Sequence, residues 1–275
     1  MTDFTYQEPL LTLHNVSQQF GGELVLRDIN VQVRDVVRPG VQQGQVVGFY
    51  GRSGMGKSVL SRIIAGLLPP STGTVEVGTP ARPVQTGDVG FVQQRYPLFN
   101  HRTLLDNLLV AATRKHPPAE ALARAESFLE RFGLAAHRRK YPAMLSGGQR
   151  QRAAIAQQLL CSEHFIILDE PFSGLDIAMI DEVKKIIVEV TTLHDLNTVV
   201  IVSHDLNTTT AISDTLWLLA PERDAAGQCL PGATINEKHQ YNLAQMGLAW
   251  QPGIEGRPEF AELVQHLKDE IRQSI

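Results

Sequence analysis

The chain has 275 residues, 43% of them hydrophobic, and a formal net charge of −4. This supports one sizeable α/β domain with an appended subdomain, excludes a disordered chain, and gives no support to a general nucleic-acid binder. Two cysteines, Cys161 and Cys229, lack metal-ligand spacing and read as those of a reduced cytoplasmic protein.

The opening MTDFTYQEP is polar and acidic, with no basic stretch leading into an apolar one, so no signal peptide is expected. No run of about 18 apolar residues occurs, the length a membrane-spanning helix needs, so any work at a membrane would go through partners. Leu11 and Leu13, then Ile29, Val31 and Val33, alternate with polar residues on either side of Gly21-Gly22. Residues 10–34 are therefore expected to form antiparallel strands. Residues 35–44, with Pro39 and Gly40, read as a linker. Three short apolar runs, 46–50, 165–168 and 199–202, suit strands buried on both faces of a mainly parallel sheet. Helices are expected at 59–67, at 120–132 with Leu122, Ala125, Leu129 and Phe132 on one face, and from Gly148 to Leu160. Another carries Ile180, Val183, Ile187 and Val190. A last amphipathic segment, from Pro258 to about Gln273, places Phe260, Leu263, Val264, Leu267 and Ile271 on one stripe.

The chemistry falls where the apolar runs end, as ligand sites of open α/β sheets do. Gly51-Arg52-Ser53-Gly54-Met55-Gly56-Lys57-Ser58 fits G-x-x-x-x-G-K-[ST], between a strand and a helix. The glycines let backbone amides turn toward phosphate oxygens, and the helix start adds positive charge. Lys57 can reach the β- and γ-phosphates, and the Ser58 hydroxyl can bind Mg²⁺. The run 165–168 ends in Asp169 and Glu170. Adjacent side chains at a strand end diverge, so Asp169 suits the Mg²⁺ shell and Glu170 suits a base that positions the attacking water.

The string LSGGQRQR, with Ser146, Gly147, Gly148 and Gln149, is a small-residue turn entering a helix about 20 residues before FIILDEP. With that arrangement the chain resembles the ABC ATPase family, over roughly residues 10–218. The other family motifs follow in order. Phe20 stands where the family stacks an aromatic ring on adenine. Gln94, in GFVQQRYPLF, resembles the glutamine that meets the metal and the nucleotide. Asp176, in SGLD, resembles the family's next loop, and His204, in SHD, its switch histidine. Two departures stand out: 35–44 lengthens the approach to the phosphate loop, and 221–234 replaces the family's usual short hairpin. In overall flavour the chain is nearest to nitrate, sulfonate and taurine importer ATPases.

The resemblance implies a P-loop α/β core with a mainly parallel sheet, an N-terminal antiparallel β part and an inserted helical subdomain at about 95–160. Residues 1–220 would be the ATPase domain and 221–275 a C-terminal extension. ATP and Mg²⁺ are the implied cofactors. The implied partners are a second copy arranged head to tail, a multispanning permease subunit docking near Gln94, and a solute-binding protein in the full system. The expected role is to energise an importer of a small solute from the inner face of the membrane. A soluble ABC ATPase is the alternative. Such chains typically carry two ATPase units or a long coiled-coil insertion, whereas this one has one of each motif and no sustained heptads.

Overall fold

The computed structural model describes residues 4–41, 43–162, 164–251 and 253–273. Residues 1–3, on which the reading of the N-terminus partly rests, and Gln42, within the expected linker, lie outside them. The strands are β1 (Thr5–Phe20), β2 (Glu23–Val37), β3 (Gln45–Gly51), β4 (Thr72–Val77), β5 (Arg82–Pro83), β6 (Val89–Val92), β7 (Phe165–Asp169), β8 (Thr198–Ser203), β9 (Thr215–Arg223), β10 (Cys229–Thr234) and β11 (Gln240–Asn242). The helices are α1 (Lys57–Ile64), α2 (Leu104–Ala112), α3 (Pro118–Arg131), α4 (Gly147–Cys161), α5 (Ile177–Thr192), α6 (Leu206–Ile212) and α7 (Pro258–Gln273).

The apolar runs 46–50, 165–168 and 199–202 become β3, β7 and β8. They lie side by side and parallel in the order β3-β8-β7, with β6 beyond β7 and β9 on the far side of β3. Their alternate residues enter two different cores. Ile166, Leu168, Val199 and Ile201 pack with α2, α3, α4 and α5. Phe165, Ile167, Val200 and Val202 pack with α1 and the β1–β2 hairpin. A strand that must fill two cores cannot show polar alternation, which is why these segments read as unbroken apolar runs.

The hairpin itself alternates. Leu11, Leu13, Ile29, Val31 and Val33 are buried, and Gly21 and Gly22 turn in the left-handed region at φ 57° and 88°. It is longer than expected. Strand β2 continues through Val37, so the segment 35–44 is only partly a linker, and Arg38 pairs with Val41 across a tight turn. Gly44 closes that turn against α5, its amide donating to the Thr191 carbonyl at 2.8 Å. A Cβ there would stand 1.9 Å from the Asn197 carbonyl oxygen, so no other residue fits.

Two further expectations need correction. In α3 the buried positions are Ala121, Ala125 and Leu129, while Leu122 is 41% exposed. The apolar stripe follows small alanines one position earlier, so the larger residue was the misleading marker. The segment 221–234 does not replace a hairpin; it completes one. β9 and β10 pair antiparallel around a turn in which Asp224 Oδ1 accepts from the Ala226 and Gln228 amides. β10 then pairs with β2, joining the antiparallel and parallel parts into one sheet.

Beyond β11, the stripe Phe260, Leu263, Val264 and Leu267 of α7 is buried against Leu206, Leu216, Leu243 and Ile254 of the same chain. A buried carboxylate, Asp214, anchors this region. The Val46 amide donates to its Oδ2 at 2.5 Å, and its own amide donates to the Val46 carbonyl at 2.8 Å. Its carbonyl accepts from Leu243 and Ala244, and the Trp250 indole donates to its side chain. The Arg38 guanidinium lies 4.1 Å above the Trp250 ring. One residue thus ties the start of β3, the segment after β2 and the C-terminal region together.

Burial pushes the Asp214 carboxyl up to about 6, against the pull of the Val46 amide and Arg38. The folded protein therefore holds this proton over an interval in which an unfolded aspartate, near 3.8, has released it. Stability should fall as pH rises through that interval and level off above it, by about 3 kcal/mol in all. Asp214→Asn keeps an acceptor for the Val46 amide but has no proton to lose. It is expected to flatten the dependence of urea midpoints between about pH 4 and 6.5; a slope equal to wild type would remove Asp214 as its source.

Candidate active site

β3 delivers the chain into the loop 52–56, which re-enters the fold as α1. Gly54 and Gly56 both take left-handed conformations, φ 85° and 93°. At Gly56 a Cβ would lie 2.9 Å from the Val25 and Leu26 side chains, so the loop runs tight against the hairpin. Gly56 is also the residue that precedes α1, and it offers no side chain to cap the helix. The first amides of α1 are left for an external acceptor. Lys57 is buried, and its Nζ donates to the Gly51 carbonyl at 2.6 Å and the Arg52 carbonyl at 3.2 Å. Desolvation pulls its pKa down, opposed by the charges of Glu170 and Asp169. Ser53 and Ser58 are exposed on the same loop and helix start.

The carboxylates arrive on β7. Burial pushes the Asp169 carboxyl up, Glu170 adds to the push, and Lys57 and Arg62 oppose it. Asp169 is thus a partly desolvated acid whose neighbouring cations do not cancel its cost. Glu170 has φ 52°, a conformation rare for a residue with a side chain, while its amide still donates to the Val202 carbonyl at 2.8 Å. Past this bend the Glu170 carboxylate meets His204, while its charge still acts on Asp169. Its Oε2 lies 2.7 Å from Nδ1 of His204, the first residue after β8. The Glu170 side chain is 17% exposed and that of His204 58%, so the pair opens to solvent on the histidine side.

Gln94 follows β6, and its Nε2 donates to Ser173 Oγ at 3.1 Å, three residues beyond Glu170. Ser146 caps α4 by a reciprocal box: its Oγ accepts from the Gln149 amide at 3.3 Å, and Gln149 Oε1 accepts from the Ser146 amide at 3.0 Å. Gln149 Nε2 also lies 3.0 Å from His137 Nε2. Gly147 and Gly148 face open space. Beside them is a groove of about 270 Å³, lined by Ser146, Gly147, Gly148, Leu175, Met179 and Glu182 among others, and by no residue of the phosphate loop. Asp176 caps α5, accepting from the Met179 amide at 2.9 Å. Phe20 ends β1, 47% exposed at the hairpin turn.

The fold therefore draws Lys57, Asp169, Glu170 and His204 into one cluster, with Ser58 beside Lys57. It links Gln94 to the segment just past that cluster. Ser146, Gly147 and Gly148 border a separate groove, Gln149 closes the cap on Ser146, Asp176 caps the helix that forms the groove's other wall, and Phe20 stands alone at the hairpin tip. Sequence reading missed three residues that lock this arrangement. Ser173 receives Gln94, and both Tyr96 Oη (3.4 Å) and Gln151 Nε2 (3.3 Å) donate to the Pro171 carbonyl. Tyr96 has φ 48°, and burial pushes its hydroxyl up to about 12. Neither shows a spacing rule; only their common target makes them legible.

The family model described as ABC transporter matches residues 35–173. The sulfate/thiosulfate import ATP-binding protein CysA of Synechocystis is 40% identical over 178 residues, 63% of this chain and 48% of its own length. The match thus spans about half of that relative. The glutamate/aspartate import ATP-binding protein GltL of Escherichia coli is 39% identical over 189 residues, 66% of this chain and 75% of its own length. Among solved structures, cbiO1 of Clostridium perfringens, part of the ABC transporter complex cbiONQ, has a TM-score of 0.71 over 97% of this chain and 96% of that one. At 24% identity the likeness is one of fold. An ATP-binding cassette solved as a dimer in a post-hydrolysis state, with ADP and Pi, has a TM-score of 0.64 at 25% identity, covering 85% of this chain and 99% of that one. With a strand–loop–helix phosphate cradle, a carboxylate–histidine pair at the ends of neighbouring parallel strands, and a family match over half its length, this chain belongs to the ABC transporter family.

Proposed function

We propose that the chain is an ATP-hydrolysing nucleotide-binding subunit that energises an ABC membrane importer of a small solute. The observation that carries this is the 2.7 Å contact of His204 Nδ1 with Glu170 Oε2, just past the ends of β8 and β7, in the ladder that β3 and its loop share. In this reading residues 1–220 are the ATPase domain, with helices of 95–160 as its inserted part, and 221–275 its extension.

The loop 51–58 binds the phosphates: the uncapped amides of α1 and the Lys57 ammonium replace the phosphates' lost water. To do so Lys57 exchanges its bonds to the Gly51 and Arg52 carbonyls for phosphate oxygens. Phe20, exposed at the hairpin tip, takes the part of the family's adenine platform and offers its ring to the base. Glu170 accepts a hydrogen bond from the attacking water and takes up its proton as ATP and water become ADP and phosphate. His204 holds the Glu170 carboxylate in place through Nδ1. Asp169 fits a bound cation, because it is a desolvated acid not balanced by its own neighbours, and Ser58 and Gln94 supply neutral oxygens suited to Mg²⁺. When bound, Mg²⁺ would neutralise charge on the phosphate oxygens.

The separate groove at Ser146, Gly147 and Gly148, with Gln149 and Asp176 holding its walls, is read as the part offered to a nucleotide on a second, head-to-tail copy. Open glycines at a helix start suit an anion. Residues 95–104, next to Gln94, are read as the docking surface for a multispanning permease subunit, with a solute-binding protein completing the system and no nucleic acid involved. The chain would then work in the cytoplasm, peripherally on the inner face of the membrane. Among the described residues no helix is long and apolar enough to cross a membrane.

Glu170→Gln keeps the shape of the side chain and removes its charge. ATP turnover is expected to fall about a hundredfold or more, with ATP binding retained and an ATP-dependent dimer accumulating; near-normal turnover would take Glu170 out of the mechanism. The shared-site arrangement is tested by mixing. Lys57→Ala disables a chain's own phosphate loop, and Ser146→Arg blocks the groove it presents. Each alone should form only dead sites, while the mixed dimer keeps one intact site and should regain nucleotide-dependent dimerisation, read by light scattering. No recovery, with wild type dimerising readily, would sink the shared site. Co-expression with its genomic neighbours is expected to yield a complex with a multispanning membrane protein; copurification with ribosomes or DNA alone would contradict the transport reading.

A further inference from the structure

The C-terminal helix α7 reaches the phosphate loop from behind. Its last apolar residue, Ile271, lines a small void together with Tyr50, Arg52 and Met55, closed by the stretch from Leu218 to Pro221. Tyr50 and Arg52 flank Gly51. The carbonyls of Gly51 and Arg52 are the two acceptors of the Lys57 ammonium. Ile271 therefore borders, across that void, both residues that flank Gly51, one of which, Arg52, itself accepts from Lys57.

The same helix also backs the histidine. The stripe that includes Leu267, which is fully buried, packs in one cluster with Leu206, two residues beyond His204, and Tyr50 and Ile271 border that cluster. Between Leu206 and His204, Asp205 caps α6, accepting from the Thr208 amide at 3.2 Å, and its own amide donates to Ser203 Oγ at 3.0 Å. Tyr50 lies between helix and site. Burial pushes its hydroxyl up; Arg52 opposes this, and the charges of Asp205 and Glu170 add to it. The helix end is itself held: Tyr241 Oη bonds Glu270, the residue before Ile271, and His239 Nε2 lies 3.6 Å from the same carboxylate.

We propose that Ile271 is a positioning residue for nucleotide binding, acting through Tyr50 and Arg52 to hold the phosphate loop where Lys57 meets the phosphates. This rests on the ATPase reading above. An apolar side chain cannot bond a nucleotide, but it can fill the space into which a glycine-rich loop would otherwise relax. Ile271 is only half-buried, at the edge of its cluster, whereas Phe260 is buried at the opposite end of the same stripe, near the start of α7. Stability and positioning can therefore be separated along one helix.

The experiment compares full-length wild type, Ile271→Ala, Ile271→Leu and Phe260→Ala. Each is measured for thermal midpoint, for the Kd of a non-hydrolysable ATP analogue with Mg²⁺, and for KM and kcat of ATP hydrolysis. Ile271→Ala is expected to raise Kd and KM by about three- to tenfold with kcat within about twofold of wild type. Ile271→Leu should restore most of the affinity. Phe260→Ala should lower the thermal midpoint more than Ile271→Ala while leaving Kd near wild type. An unchanged Kd in Ile271→Ala overturns the proposal, and so does an equal rise in Phe260→Ala, which would mark a loss of general stability. A wild-type chain that binds no nucleotide overturns the ATPase reading itself, and this one with it.

Discussion

The parallel ladder β3-β8-β7 is the constraint on which the site depends. Its register pairs Tyr50 with Ser203 and Asp169 with Val202, so three strands end at one level. The phosphate loop, His204 and the two acids follow from those ends. A slip of one residue in any strand would exchange the side chains facing the two cores, so burial on both faces fixes the register. The chemistry inherits its precision from hydrophobic packing that it does not touch.

The bend at Glu170 adds to that alignment a contact from the end of β7 across to His204. Had the strand continued, Asp169 and Glu170 would simply have pointed to opposite faces. With the positive φ, Glu170 reaches His204 past β8, and the charges of both Glu170 and Asp169 still act on Lys57. A strained residue at the end of a buried strand is tolerable because its amide remains in the ladder, bonded to the Val202 carbonyl.

The C-terminal region is built into the same framework. Asp214 joins it to the start of β3, β10 seals the sheet against β2, and α7 covers the flank of the loop that holds Lys57. Arg38, in the turn after β2, and Trp250, in the C-terminal region, stack on one another. The turn after β2 and the C-terminal region are therefore one structural feature: each supplies a partner that the other needs.

Much of this was legible in the order of residues. Local rules are enough where a function needs consecutive residues: the phosphate loop, the paired acids after an apolar run, and the small-residue helix start before Gln149 all carry their physics within a few positions. The apolar runs announced buried parallel strands because their two-sided burial removes alternation, and the stripe of α7 showed its period plainly. Other features were decided only in three dimensions. Leu122 looked like core because it is large, but the helix turns Ala121 inward instead. That Ser173 receives Gln94, that the Pro171 carbonyl gathers Tyr96 and Gln151, and that Ile271 borders the same void as Tyr50 and Arg52 all depend on contacts between segments far apart in the chain. The sequence by itself determined which groups could do chemistry, because that is a property of residue type and short spacing. Which groups meet was decided by tertiary structure, because the meeting is set by strand register and by helices packing over distances that no local pattern encodes.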